Sequence, residues 1–135
     1  PDFTVLDVSE NKVTLSSKFG KPIVLNFWAS WCAPCREEFA HFQAAYEIYK
    51  DNVEFVMVNL IDGQRETLQK AKAFISENNY TIPVYFDTEA DAAYTYRITS
   101  IPVTYFIDKD GYIIDVFQGK IPDKVLMQKI DNLIK

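Results

Sequence analysis

Trp28-Ala29-Ser30-Trp31-Cys32-Ala33-Pro34-Cys35 holds both cysteines of the chain. Before it, Ile23 to Trp28 is apolar at every position except Asn26, the pattern of a strand buried on both faces. After it, Ala33 to about Lys50 reads as a helix. At 100° per residue, Cys35, Phe39, Phe42, Tyr46 and Tyr49 fall in one narrow stripe. The cysteines therefore sit where a strand turns into a helix. Unpaired N–H groups and the positive end of the helix dipole stabilise an anion there. A thiolate is such an anion, so a cysteine at this place is expected to have a lowered pKa. Cys32, in the first turn, is the expected exposed attacker. Cys35, on the apolar stripe, is the expected shielded thiol that resolves the mixed disulfide. Pro34 costs no helical hydrogen bond in a first turn and stiffens the link between the sulfurs.

Outward from this turn, helices alternate with strands. Phe3–Leu6 and Lys12–Leu15 alternate apolar with polar and predict a β-hairpin. Val53–Leu60 predicts a second buried strand, followed by a helix over about 64–78 with Leu68, Ala71 and Ile75 aligned. A short strand at Val84–Phe86 precedes a helix over about 88–97, capped by Asp87 or Thr88. Val103–Ile107 and Tyr112–Phe117 predict a hairpin turning at Asp108-Lys109-Asp110-Gly111. A last helix opens at Pro122 and stacks Leu126, Ile130 and Leu133 inward. Strands buried on two faces require helices above and below, so the expected architecture is a mixed α/β sheet in one domain, residues 1–135.

Composition narrows the chemistry. At 135 residues, 48% hydrophobic and 24% charged, the chain can build a packed core. Its net charge of −5 argues against a nucleic-acid groove. With 4 glycines, at 20, 63, 111 and 119, neither a Walker loop nor a GxGxxG turn can be written. No apolar run reaches the length of a membrane span. The sequence opens at Pro1 without an initiator Met, so the absence of targeting residues proves nothing about localisation.

The bland readings of the cysteine pair are weak. A zinc site lacks further thiols, and the single histidine, His41, projects away from the buried stripe and reads as a surface residue. A structural disulfide closing so short a loop removes little chain entropy. On the helical wheel Glu38 lies at the border of the buried face, one turn from Cys35, while Glu37 points the opposite way. Partial desolvation at that border is expected to raise the Glu38 pKa and let it relay protons to Cys35. Trp28 and Trp31 are expected to pack around and rim the site.

The segment Lys21 to Phe39, with Ile101-Pro102 and Phe106-Ile107-Asp108 downstream, resembles the thioredoxin superfamily, and within it the extracytoplasmic TlpA/ResA-like branch. The resemblance spans essentially the whole chain. It implies a thioredoxin fold: a central mixed sheet with helices on both faces, an N-terminal β-hairpin and an inserted β/α segment around residues 61–88. It also implies a cis-proline facing the cysteines, whose preceding residue pairs with an incoming substrate backbone. Two Ile-Pro-Val triplets compete for that place, and chain position favours Pro102 over Pro83, so Pro102 is expected cis and Pro83 trans. Trp31, Pro34, Ile101 and Pro102 thus form the expected substrate-contacting set, with Cys32, Cys35 and Glu38 as the catalytic set. Plain thioredoxins carry a buried Asp where this chain has Asn26, with a Lys on the neighbouring strand where this chain offers Met57. The TlpA/ResA-like branch instead carries a Glu three residues after the second cysteine, here Glu38.

The resemblance further implies a thiol–disulfide oxidoreductase without cofactor or metal, exchanging with protein thiols or disulfides as a monomer outside the cytoplasm. It implies a reductant fed by a membrane electron donor, with apocytochrome c maturation as one use. A peroxiredoxin-like peroxidase is the alternative within this chemistry, although Trp28 to Trp31 stands where peroxiredoxins place a TxxC threonine. A non-catalytic binding module on the same fold is the alternative outside it. A copper chaperone would need a histidine later than His41, and none follows.

Overall fold

The computed structural model describes residues 1–135. Its elements in chain order are β1 (Thr4–Leu6), β2 (Lys12–Thr14), a 3-10 turn (Leu15–Lys18), β3 (Ile23–Trp28), α1 (Ala33–Tyr49), β4 (Glu54–Asn59), α2 (Leu68–Glu77), β5 (Val84–Phe86), α3 (Asp91–Thr95), β6 (Val103–Ile107), β7 (Ile113–Gln118) and α4 (Asp123–Ile134). The seven strands form one sheet in the order β2-β1-β5-β4-β3-β6-β7. β3, β4 and β5 run parallel, while β6 and β7 on one side and β1 and β2 on the other are antiparallel additions. Each parallel step needs a crossover, and α1 and α2 supply them.

The period of two along the central strands decides which residues face which helices. Val24 and Trp28 of β3, with Phe55 and Met57 of β4, join Phe39 and Phe42 of α1 and Leu126 and Ile130 of α4 in one core. Ile23, Leu25, Phe27, Val56 and Val58 point the other way and pack with Phe3, Val5, Tyr96 and Ala92. Asn26 shares the parity of Val24 and Trp28, so the one polar side chain of β3 is aimed into the α1 side of the core. Its cross-strand partner is Met57.

Several boundaries differ from the expected ones. α2 begins at Leu68, not near residue 64, because Asp62 Oδ1 accepts the N–H groups of Gln64 and Glu66 and holds 62–66 in a turn. Thr67 then caps the helix by accepting the Lys70 N–H. α3 is only five residues long. Asp87 supports it by accepting the N–H groups of Ala92 and Ala93. Pro122 is the residue before α4, with extended backbone, and not its first turn. The β6–β7 turn forms as expected, with Asp108 Oδ1 accepting from Asp110 and Tyr112. Gly111 is required there, since its φ is +92° and a Cβ would lie 2.7 Å from the Phe19 ring. No helix is long and apolar enough to cross a membrane.

Candidate active site

β3 ends at Trp28 and α1 opens at Ala33, leaving Ala29 to Cys32 to make the turn. The Cys32 N–H closes that turn on the Ala29 carbonyl at 3.2 Å. Cys32 is the N-cap of α1, and its sulfur accepts the Cys35 N–H at 3.3 Å. A helix N-terminus normally offers that N–H to a Ser, Thr or Asp side chain. Here the sulfur takes it, so the anion-stabilising end of α1 points at the sulfur itself. Cys32 and Cys35 form a disulfide, with Cα atoms 5.2 Å apart. Pro34 occupies the first turn and is exposed.

Access to the two sulfurs is unequal but narrow. Cys32 keeps 4% of its surface and Cys35 none. The expected exposed attacker is thus more covered than the sequence reading held. The cause is tertiary: the chain before β6 passes over it, placing the Ile101 carbonyl 3.9 Å from Cys32 Sγ. The Ile101–Pro102 bond is the single cis peptide of the molecule, so Pro83 is trans. Ile101 is half-buried beside the disulfide and Pro102 is buried. A cleft of about 620 Å³ opens next to them, lined by Trp31, Leu60, Ile98 and Ile101 among others.

Glu38 is buried, at 1% exposure, and not at the border of the apolar face. The loop between β7 and α4 folds over it, a contact that no helical wheel contains. Its Oε1 accepts the Ile121 N–H at 3.0 Å, and its Oε2 accepts from Asn26 Nδ2 at 2.9 Å. The same Asn26 nitrogen donates to Thr104 Oγ1 at 3.1 Å, while Asn26 Oδ1 has no partner. Burial is the dominant influence and pushes the Glu38 pKa up from 4.5 to about 7, against the lowering effects of Ile121, Asn26 and Lys120. Glu37 points outward and pairs with Lys120 at 2.8 Å. His41, expected at the surface, is half-buried, and its Nδ1–H donates to the Ile121 carbonyl at 3.2 Å. Glu38 and His41 therefore hold both backbone groups of Ile121.

The two tryptophans separate into core and rim. Trp28 is fully buried edge-to-face on Phe39, with centroids 4.8 Å apart. Trp31 is 39% exposed, and the Arg65 guanidinium carbon lies 3.5 Å from its ring centroid.

Sequence reasoning missed Glu66. It is fully buried and accepts three hydrogen bonds, from the Ser30 N–H (2.6 Å), the Ser30 hydroxyl (2.5 Å) and Asn59 Nδ2 (2.7 Å). This carboxylate ties the cysteine turn to the end of β4. An acid near the start of the helix expected over about 64–78 reads as solvated, so its own position gives no signal. Asn59 does carry one, because a polar residue at the end of a buried strand needs a partner.

Residues 1–116 match the model of the AhpC/TSA family. The chain is 34% identical over 131 residues to thioredoxin-like protein YneN of Bacillus subtilis, covering 97% of this chain and 76% of that protein. It is 30% identical over 136 residues to the thiol-disulfide oxidoreductase ResA of the same organism, covering 100% of this chain and 73% of that protein. A solved Chlorobium tepidum chain described as a thiol:disulfide interchange protein DsbE superposes with a TM-score of 0.89 at 29% identity. That superposition covers 100% of this chain and 94% of the other.

Proposed function

Because the chain belongs to the AhpC/TSA family and is a thiol–disulfide oxidoreductase of the ResA/DsbE type, we propose that it reduces protein disulfides outside the cytoplasm, with Cys32 as nucleophile and Cys35 as resolving thiol. The observation that carries this reading is the Cys32 sulfur acting as its own helix cap, 3.3 Å from the Cys35 nitrogen. Cys32 Sγ is the more accessible sulfur and is the one beside Ile101.

In the reduced protein the Cys32 thiolate attacks one sulfur of the partner's disulfide. The S–S bond breaks, the partner's other sulfur leaves as a thiolate, and a mixed disulfide forms. Cys35 then gives its proton to the Glu38 carboxylate and attacks Cys32 Sγ. The partner departs with both sulfurs reduced, and the Cys32–Cys35 disulfide remains. A carboxyl with a pKa of about 7 is matched to accepting and returning a proton near neutrality. Ile101, ahead of cis-Pro102, offers its backbone to the partner's chain, with Trp31 and Pro34 as the surrounding rim. A membrane electron donor restores the dithiol, an apocytochrome c is one suitable partner, and the protein acts as an anchored or secreted monomer. The redox centre is the cysteine pair alone.

Trapping tests the assignment. The Cys35→Ala variant should accumulate a mixed disulfide with a disulfide-containing protein substrate, released by dithiothreitol, and Cys32→Ser should trap nothing. Equal trapping by Cys32→Ser, or exchange surviving in it, would reject these roles. Equilibration with a glutathione redox buffer gives the potential, expected on the reducing side of that couple.

A further inference from the structure

The molecule carries a net charge of −5, yet one groove beside the cysteine turn is lined mainly by cations. A concave region of about 430 Å³ lies between Ser30–Trp31 and α2, and its charged lining is Arg36, Arg65, Lys70 and one acid, Glu77. The two ion pairs of the molecule, Lys120–Glu37 and Lys129–Asp115, involve none of these. Arg36 spends one N–H on the Ser30 carbonyl at 2.9 Å, a neutral acceptor that leaves its charge uncompensated. The Arg65 side chain makes no hydrogen bond or ion pair, and its guanidinium carbon lies 3.5 Å from the Trp31 ring centroid. A guanidinium over an aromatic face with no hydrogen-bond partner keeps its N–H groups available, which suits a carboxylate. The adjoining backbone is fixed, because Glu66 is buried with its carboxylate turned inward to Ser30 and Asn59.

We infer that this groove docks an acidic segment of the polypeptide partner, with Arg65 and Lys70 selecting disulfides flanked by Asp or Glu. The inference rests on the exchange reaction proposed above and adds what that reaction discriminates. The groove adjoins the cleft that runs to Ile101, with Trp31 and Arg65 lining both. A chain held at Ile101 across the disulfide therefore continues over Trp31 into the cations. On an otherwise acidic protein, a local positive patch also sets the orientation of approach, so its effect belongs largely to the association rate and weakens with salt.

The test uses two disulfide peptides identical except for Glu-Glu or Gln-Gln next to the cysteine. Reduced protein should react with the acidic peptide faster by about tenfold at low salt, and the ratio should collapse at high salt. In Arg65→Gln/Lys70→Gln the ratio should fall to near one. Taking the ratio cancels any change in thiolate reactivity. A second pair, with Ser in place of Cys, is titrated against the oxidised protein by Trp fluorescence, so the groove is read without exchange. A ratio near one in the parent protein, or a preference that survives in the double variant, overturns the inference. Binding to vesicles of anionic phospholipid that the double variant loses, without peptide discrimination, overturns it in favour of a membrane surface. Failure to reduce hydroxyethyl disulfide, a neutral substrate, would instead strike the exchange chemistry while the Ser-peptide titration still judges the groove.

Discussion

Asn26 Nδ2 donates to Glu38 Oε2 at 2.9 Å, joining β3 to α1 through a polar contact in which neither side chain reaches solvent. Asn26 cannot titrate, so in the proposed exchange the proton is assigned to the Glu38 carboxyl on the facing helix. The bond favours the ionised form of Glu38 and opposes the stronger effect of burial. Replacing Asn26→Leu should therefore move the Glu38 pKa above about 7. Carboxyl-carbon NMR titration reads this directly, and a downward move would contradict the assigned cause.

Removing the proton acceptor should act on resolution more than on attack. With Glu38→Gln, the rate at which Cys35 discharges a mixed disulfide should lose its rise around pH 7 and drop by about 10²-fold or more. Initial attack by Cys32 should change much less. Stopped-flow rates across pH 5 to 9 separate the two steps, and an unaltered resolution profile would remove Glu38 from the mechanism.

Stability should fall with rising pH in a defined window. The folded chain keeps a proton on Glu38 up to about pH 7, whereas the unfolded chain gives it up near 4.5. Between those values the native state binds more protons, so unfolding free energy decreases as pH rises, by roughly 3 kcal/mol in total from this group. The contribution is fully present below pH 4.5 and gone above pH 7. Denaturant midpoints of the parent and Glu38→Gln, compared over that range, should differ in slope.

Glu66→Ala should destabilise by about 2–4 kcal/mol, because the Ser30 N–H and Asn59 Nδ2 would be left buried without acceptors. The cysteine turn should loosen as well. A lower denaturant midpoint together with altered Trp31 fluorescence checks both effects.

Phe39→Ala should cost about 3–5 kcal/mol. Phe39 is fully buried and contacts the rings of Trp28, Phe74 and Tyr80. It also sits one residue beyond Glu38, so calorimetry of the oxidised protein is the clean readout.

Much of this molecule is legible locally. The parity of β3 and β4, the stripe Cys35-Phe39-Phe42 and the capped turn at Asp108 each depend on neighbours within one element. Glu38 was legible in identity but not in degree, since its burial comes from Ile121, 83 residues away. His41 was misplaced by the same loop. Glu66 was not legible from its own position, because its partners Ser30 and Asn59 belong to other segments.

The sequence by itself determined the strand–turn–helix that carries Cys32 and Cys35, since backbone periodicity and helix-end chemistry are short-range properties. Only the tertiary structure decided how narrowly the Cys32 sulfur can be reached, how strongly Glu38 holds its proton, and that Arg65 lies on Trp31. Those are matters of desolvation and packing, set by chain segments that meet in space and are far apart in order.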